Sequence, residues 1–250
     1  MNQLELSTKK KSEILTKVKK LIEMYDDDQI PKLHEHEVHP ELPLGSRENY
    51  LYFTLPVCIN FQRNSPAMWK SALATYDDPA TNYVFFPEKL AKTPIEKIRA
   101  DLMKHKLALQ PNKHIHIWTT IAATFHDYYD DDPREVINEA GSDAKTLIEN
   151  LHTRNRKKFP YLSGPKLSNY WPYILSQYTD VKFTSSYEIS IIPDTHVIQS
   201  SSVLGLAPIG SVSSVVEAAW KELLDGTGIP PTRVHPILWN WSRNGFKPEV

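Results

Sequence analysis

The chain has 250 residues, enough for one large domain or two small ones with a core that buries most of the apolar surface. Its 29 Lys+Arg against 30 Asp+Glu leave a formal net charge of −1, so no global field draws it to a polyanion, and any such binding must rest on a local basic patch. The single cysteine, Cys58, excludes an internal disulfide and a four-cysteine iron–sulfur cluster.

The amino-terminal segment MNQLELSTKKKSEILTKVKK is charged throughout and lacks an apolar core of signal-peptide type. No later run reaches the roughly 20 apolar residues that span a bilayer. An intracellular, soluble protein of the cytoplasm or nucleoid, with no membrane partner, is the expectation.

In chain order, Ile14, Leu15, Val18, Leu21 and Ile22 recur at helical spacing and predict an amphipathic helix over residues 8–25, closed by Asp26, Asp27 and Asp28. Gln29 to Arg47, with three prolines and no periodicity, reads as a surface connector. From Tyr50 to Gln62, YLYFTLPVCINFQ is apolar enough for a buried helix or a buried strand, and Pro56 argues against one uninterrupted element. Thr93-Pro94-Ile95-Glu96 has the form of a capping box with proline at the first helical position, ahead of Ile98, Leu102 and Leu107. His114 and His116 in HIHIW alternate as on one face of a short segment near Trp118, and read as satisfied histidines rather than metal ligands.

Asp132-Pro133-Arg134-Glu135 repeats the capping design, and a helix over residues 143–152 follows Gly141 with Leu147, Ile148 and Leu151 facing inward. Ser214-Val215-Val216-Glu217 is a further capping box, leading into Val216, Trp220 and Leu223 and stopped by Gly226. Few stretches alternate with period two and no repeat is visible, so a mostly α-helical chain is expected.

The segment richest in chemistry runs from Phe159 to Val197, FPYLSGPKLSNYWPYILSQYTDVKFTSSYEISIIPDTHV. Ser163-Gly164-Pro165-Lys166 reads as a turn that opens a helix, with Ser163 or Gly164 as cap and Pro165 at the first helical position. Exposed backbone N–H groups at such a turn bind phosphate. Arg154, Arg156, Lys157 and Lys158, just upstream, supply the local patch that the net charge requires; the plainer reading is a solvated loop. Asp194 follows an apolar run.

A helix, a short Gly-containing hairpin carrying lysine, a second helix, and an apolar run ending in Pro-Asp-Thr-His-Val resemble the helix-hairpin-helix DNA glycosylase superfamily, whose lyase branches include endonuclease III and the 8-oxoguanine glycosylases. Those families read close to Leu-Pro-Gly-Val-Gly-Arg-Lys-Thr-Ala-Asn and Val-Asp-Thr-His-Val. Gly164, Lys166, Asn169, Asp194, Thr195, His196 and Val197 stand at matching positions, and the second motif is the more specific. The resemblance runs from about Tyr50 to Gly245. Leu162 departs from it where the hairpin has its first glycine, and Pro172 falls inside the second helix.

The resemblance implies a mostly α, two-lobed helical fold with a helix-hairpin-helix motif, residues 1–48 being an N-terminal helix and connector and 49–250 the glycosylase-like domain of two helical lobes. It implies that Ser163 and Gly164 hold a DNA phosphate, often with a bound monovalent cation at the hairpin. The iron–sulfur cysteines of endonuclease III are absent from this sequence, which disfavours that subgroup, and no other cofactor is expected. Lys166 would attack C1′ of a flipped nucleotide and form a Schiff base, permitting strand cleavage after base removal. Asp194 would stabilise positive charge developing on the sugar and help activate the nucleophile. Without the lysine step the same aspartate would direct water. Gln62 in INFQR matches the glutamine that enters the DNA stack in such enzymes. Trp239 and Trp241, alternating in HPILWNWSRNGF, are candidate stacking surfaces for the flipped base, against the plainer role of core packing.

The expected activity is excision of a damaged or oxidised base from double-stranded DNA, with or without a lyase step. Two other readings stand beside it: an N-glycosidase acting on a free modified nucleoside or nucleotide, which the near-neutral charge permits, and a noncatalytic nucleic-acid-binding module in which Asp194 only caps a helix. LHEHEVHPEL groups His34, His36 and His39 with Glu35 and Glu37 as metal sites do. No second ligand group stands at a defined spacing, so this segment reads as a solvated connector and no metal site is expected. No pattern bears on the lesion or on the oligomeric state.

Overall fold

The computed structural model describes residues 7–32 and 38–250, which leaves His34, Glu35, His36 and Glu37 of the histidine-rich connector outside the described residues. Its helices, in chain order, are α1 (Thr8–Asp26), α2 (Arg47–Tyr52), α3 (Leu55–Cys58), α4 (Ser65–Asp77), α5 (Pro87–Leu90), α6 (Ile95–Lys104), α7 (Lys113–Tyr128), α8 (Pro133–Glu139), α9 (Ala144–His152), α10 (Leu167–Tyr178), α11 (Thr195–Val203), α12 (Ser213–Leu224) and α13 (Pro231–Arg243). Among the described residues there is no β-strand, and a lone parallel bridge joins Asp143 to Thr184. The mostly helical class expected from the sequence is the class observed. No helix among the described residues is long and apolar enough to cross a membrane. The chain forms two compact units, Met1–Leu33 with Ser186–Val250, and His34–Ser185.

In the first unit, α1 is capped by the Ser7 side chain, which accepts from Lys10 N–H, and buries Ile14, Val18 and Leu21 along one face. These meet Val216, Trp220 and Leu223 of α12 and Val234, Ile237, Leu238 and Trp241 of α13 in one core. The small residues Ser200 and Ser201 let α11 lie close to its neighbours. Their hydroxyls donate to the carbonyls of Leu238 (2.8 Å) and Val197 (2.6 Å), and Ser201 Oγ accepts the Trp220 indole N–H at 2.8 Å. The capping box expected at Ser214–Glu217 does not form. The helix starts at Ser213 with Val212 at the cap position. The Ser213 hydroxyl donates to Pro193 O at 3.2 Å, tying α12 to the backbone just ahead of Asp194.

The second unit is built on aromatic side chains. Tyr52, Phe53, Trp69, Phe85, Trp118, Phe125, Phe159 and Trp171 are all buried, and the indoles of Trp118 and Trp171 donate to Val84 O (2.8 Å) and Thr54 Oγ1 (2.9 Å). The apolar run from Tyr50 resolves into two short helices, α2 and α3, broken at Phe53–Thr54, with Pro56 in the first turn of α3, where no amide is needed. Thr93 does not cap α6. Its hydroxyl donates to Lys89 O (2.8 Å), and Pro94 takes the cap position. The Asp132 and Asp143 side chains do cap α8 and α9, accepting from Arg134 N–H and Thr146 N–H.

The HIHIW segment is helical, not alternating, because it lies in α7. Two residues turn an α-helix by about 200°, so His114 faces the core at 1% exposure while His116 faces solvent. His114 Nδ1 accepts from Leu109 N–H at 3.2 Å, which leaves the ring proton on Nε2, an atom with no hydrogen-bond partner among the described residues. Burial, helped by the Arg63 and Lys113 charges, lowers this histidine to about 4. An unfolded histidine titrates near 6.5, so below that pH the unfolded chain takes up a proton that the folded chain refuses. Stability is therefore complete above about pH 6.5 and declines toward pH 4, by roughly 2 kcal/mol from this residue. Urea midpoints measured from pH 7 to 4.5 should show that decline, and it should shrink by the same amount in His114→Gln.

Candidate functional site

The lysine-bearing loop, residues 153–166, joins α9 to α10 and is anchored by Phe159 and Leu162, both 0% exposed. Leu162 thus holds the turn to the core from the place where the resemblance has a glycine. His152 Nε2 and Ser168 Oγ, 2.8 Å apart, link the end of α9 to the start of α10. Within the turn, Ser163 N–H donates to Phe159 O (3.0 Å) and Gly164 N–H to Tyr161 O (2.8 Å). These two amides, expected to face a phosphate, are already used inside the turn. A Cβ on Gly164 would stand 3.0 Å from Tyr161 O, so the position is too tight for most side chains.

The helix also opens later than the sequence suggests. Gly164 O accepts from Ser168 N–H (2.9 Å), but α10 is regular only from Leu167, with Lys166 rather than Ser163 or Gly164 at the cap position. It then runs through Pro172 to Tyr178. Lys166 is exposed, and its side chain makes no cap hydrogen bond. The amides of Lys166 and Leu167 donate to no acceptor among the described residues, so they are the donors left at the mouth of α10. Asn169 turns its side-chain amide back to Pro165 O (3.0 Å).

Of the four basic residues upstream, Arg154 is neutralised by Glu139 (3.3 Å) and Lys158 Nζ lies 3.9 Å from the Tyr128 ring centroid. Arg156 and Lys157 are exposed and have no acidic partner among the described residues. Gln62 is exposed in the turn between α3 and α4. The structure brings it to the lysine loop through its neighbour: Phe61 stacks on Tyr161, with centroids 4.4 Å apart. Sequence reasoning missed Tyr161, Phe61 and Lys113. The available signal was an aromatic residue beside Gln62 and another two positions before Ser163.

Asp194 belongs to the first unit, where it caps α11: its Oδ1 accepts from Val197 N–H at 3.0 Å, and it is partly exposed. Among the described residues no hydrogen bond engages its second oxygen. Two residues on, His196 Nδ1 lies 3.1 Å from Ser242 Oγ, and its ring stands edge-on to Trp239 at 5.1 Å. Trp239 therefore packs against the first turn of α11, the helix that Asp194 caps. Its ring is already covered by His196 and by the Arg243 guanidinium at 5.2 Å, and it is 9% exposed. Trp241, at 1% exposure, donates to Pro248 O and packs against Phe246, which leaves it no face for a base. The two tryptophans lie on the helix α13, not on an alternating segment.

No protein-family model matches the sequence, and no curated protein is significantly similar to it. In three dimensions the chain is similar to a trapped endonuclease III–DNA covalent intermediate solved as an estranged-adenine complex, with a TM-score of 0.59 over 98% of this chain and 91% of that one. The chain has the fold of endonuclease III. At 16% identity the likeness is one of fold. It agrees with the resemblance read from the hairpin and from Pro-Asp-Thr-His-Val, because α9, the 153–166 loop and α10 are a helix, a set of tight turns and a helix in the expected order. On the endonuclease III fold of this chain, Lys166 opens α10 and Asp194 opens α11. Among the described residues no three His, Cys, Asp or Glu side chains are grouped to hold a metal ion. Cys58 is buried, with its thiol donating to Thr54 O.

Proposed function

We propose that this chain is a base-excision DNA glycosylase acting on a damaged or oxidised base in duplex DNA, with an associated lyase step. The observation that carries the reading is the fold likeness to an endonuclease III–DNA covalent intermediate along nearly the whole chain. The exposed Lys166, in the loop between paired helices, supports it. In this mechanism Lys166 Nζ attacks C1′, the N-glycosidic bond breaks, and the base departs with the bonding electrons and takes up a proton. Loss of the second amine proton with opening of the sugar gives a Schiff base, and β-elimination of the 3′-phosphate cleaves the strand. Asp194, as a carboxylate, stabilises the positive charge that grows on the sugar. The amides at the mouth of α10 and the cations Arg156 and Lys157 face DNA phosphates. Gln62 enters the base stack.

A second reading has its own observation: the Asp194 carboxylate already serves as a helix cap, which is all that a noncatalytic nucleic-acid module requires of it. Duplexes carrying a single oxidised purine or pyrimidine, incubated with the protein with and without borohydride, separate these readings. The glycosylase reading expects release of the free base and, with borohydride, a covalent protein–DNA band. Duplex binding without base release selects the noncatalytic module. Base release from free modified nucleosides, with no duplex binding at low salt, selects the nucleosidase.

A further inference from the structure

Among the non-glycine residues with positive φ in the second unit are Gln62 at +51° and Tyr161 at +64°, both in turns. A bulky residue in this left-handed region persists only where surrounding contacts enforce it. Here the two turns enforce each other. Phe61 and Tyr161 lie with their planes 16° from parallel, and Lys113 Nζ sits 4.6 Å from each ring centroid. The His114 ring supports Phe61 edge-on at 5.2 Å, and Arg63 is tied to the carbonyls of Leu107 (2.6 Å) and Lys106 (3.2 Å). Against this fixed backing, Tyr161 stays 41% exposed.

The surroundings are cationic. Ser163 Oγ donates to Arg156 O at 3.3 Å, which sets the basic stretch against the same turn. Lys113, Arg156, Lys157 and Lys166 have no acidic partner among the described residues, in contrast to Arg154. An exposed ring among unpaired cations suits a ligand that presents a flat π-face and phosphates together. A base inside a duplex has both faces covered, so an unpaired base is the one that can reach such a ring.

We propose that Tyr161, stacked on Phe61 beside Lys113, is a ledge that receives an unpaired base of a DNA strand while the adjacent cations hold its phosphates. This inference rests on the DNA reading proposed above and extends it to a contact that neither Trp239 nor Trp241 can provide. Tyr161→Asn removes the ring and suits a left-handed backbone, so it leaves the turn intact. Tyr161→Phe keeps the ring. Fluorescence anisotropy at low salt would compare a fully paired duplex with the same duplex carrying one extra unpaired nucleotide.

Wild type and Tyr161→Phe should bind the bulged duplex more tightly than the paired one. Tyr161→Asn should lose roughly 5- to 100-fold on the bulged duplex and less than about twofold on the paired one. Equal losses on both probes, or no loss on the bulged probe, would overturn the ledge while the glycosylase reading stands. Failure of the wild type to bind either probe would overturn both.

Discussion

Asp194→Asn should leave the protein folded while cutting base release by roughly 10²- to 10³-fold, the size of effect seen when one preorganised electrostatic group is lost from a transition state. The substitution separates two roles that the structure superimposes on one side chain. As a cap, Asp194 accepts from Val197 N–H, and asparagine accepts there about equally well. The helix dipole adds less than about 1 kcal/mol in favour of the charge, so the melting temperature should fall by no more than about 4 °C. As an electrostatic partner of a developing oxocarbenium ion, asparagine has no charge to offer. Asp194→Ala should lose base release too, and in addition about 1 kcal/mol of stability from the missing cap. Single-turnover base release and thermal unfolding measured on both variants decide the matter. Full activity in Asp194→Asn, with a defect confined to Asp194→Ala, would reduce the residue to a cap and remove its catalytic role.

What could be read from the chain follows the range of the interactions concerned. Helices α1, α8 and α9 stood in the sequence because their signals are local: the apolar spacing of α1, the capping design at Asp132 for α8 and the inward face of α9, with Ser7, Asp132 and Asp143 each accepting from an amide two or three residues away. Local form misled where an acceptor outside the expected cap competed. Thr93 gave its hydroxyl to Lys89 O instead of its own helix, and α12 began two residues early, with Val212 at the cap position and Ser213 bonded to Pro193 O, 20 residues back. HIHIW imitated period two because, over five residues, a buried stripe and an alternation look alike, and only its place inside α7 tells them apart.

The same division runs through the candidate site. The capping role of Asp194 was legible because its motif is itself a helix opening. The Phe61–Tyr161 stack joins positions 100 residues apart and leaves no local trace. Nor could spacing show that the Ser163 and Gly164 amides turn inward, since that depends on the carbonyls of Phe159 and Tyr161 folding back beneath them.

Lys166→Gln should abolish the borohydride-trapped band and strand cleavage together, because glutamine has no amine with which to form a Schiff base. Lys166 is exposed, makes no cap hydrogen bond and has no acidic partner among the described residues, so its replacement should change stability by less than about 0.5 kcal/mol. Loss of the band would then report chemistry rather than unfolding. The necessary control is Lys113→Gln, which removes another lysine of the same unit, one held 4.6 Å from the Tyr161 ring centroid. Its trapped band should remain at wild-type intensity per molecule of DNA bound. A band that persists in Lys166→Gln and disappears in Lys113→Gln would move the nucleophile to Lys113. A third pattern also has a physical meaning: if Lys166→Gln releases the base at the wild-type rate but no longer cuts the strand, water attacks C1′. Asp194 would then carry the excision step alone, with Lys166 confined to the elimination that follows.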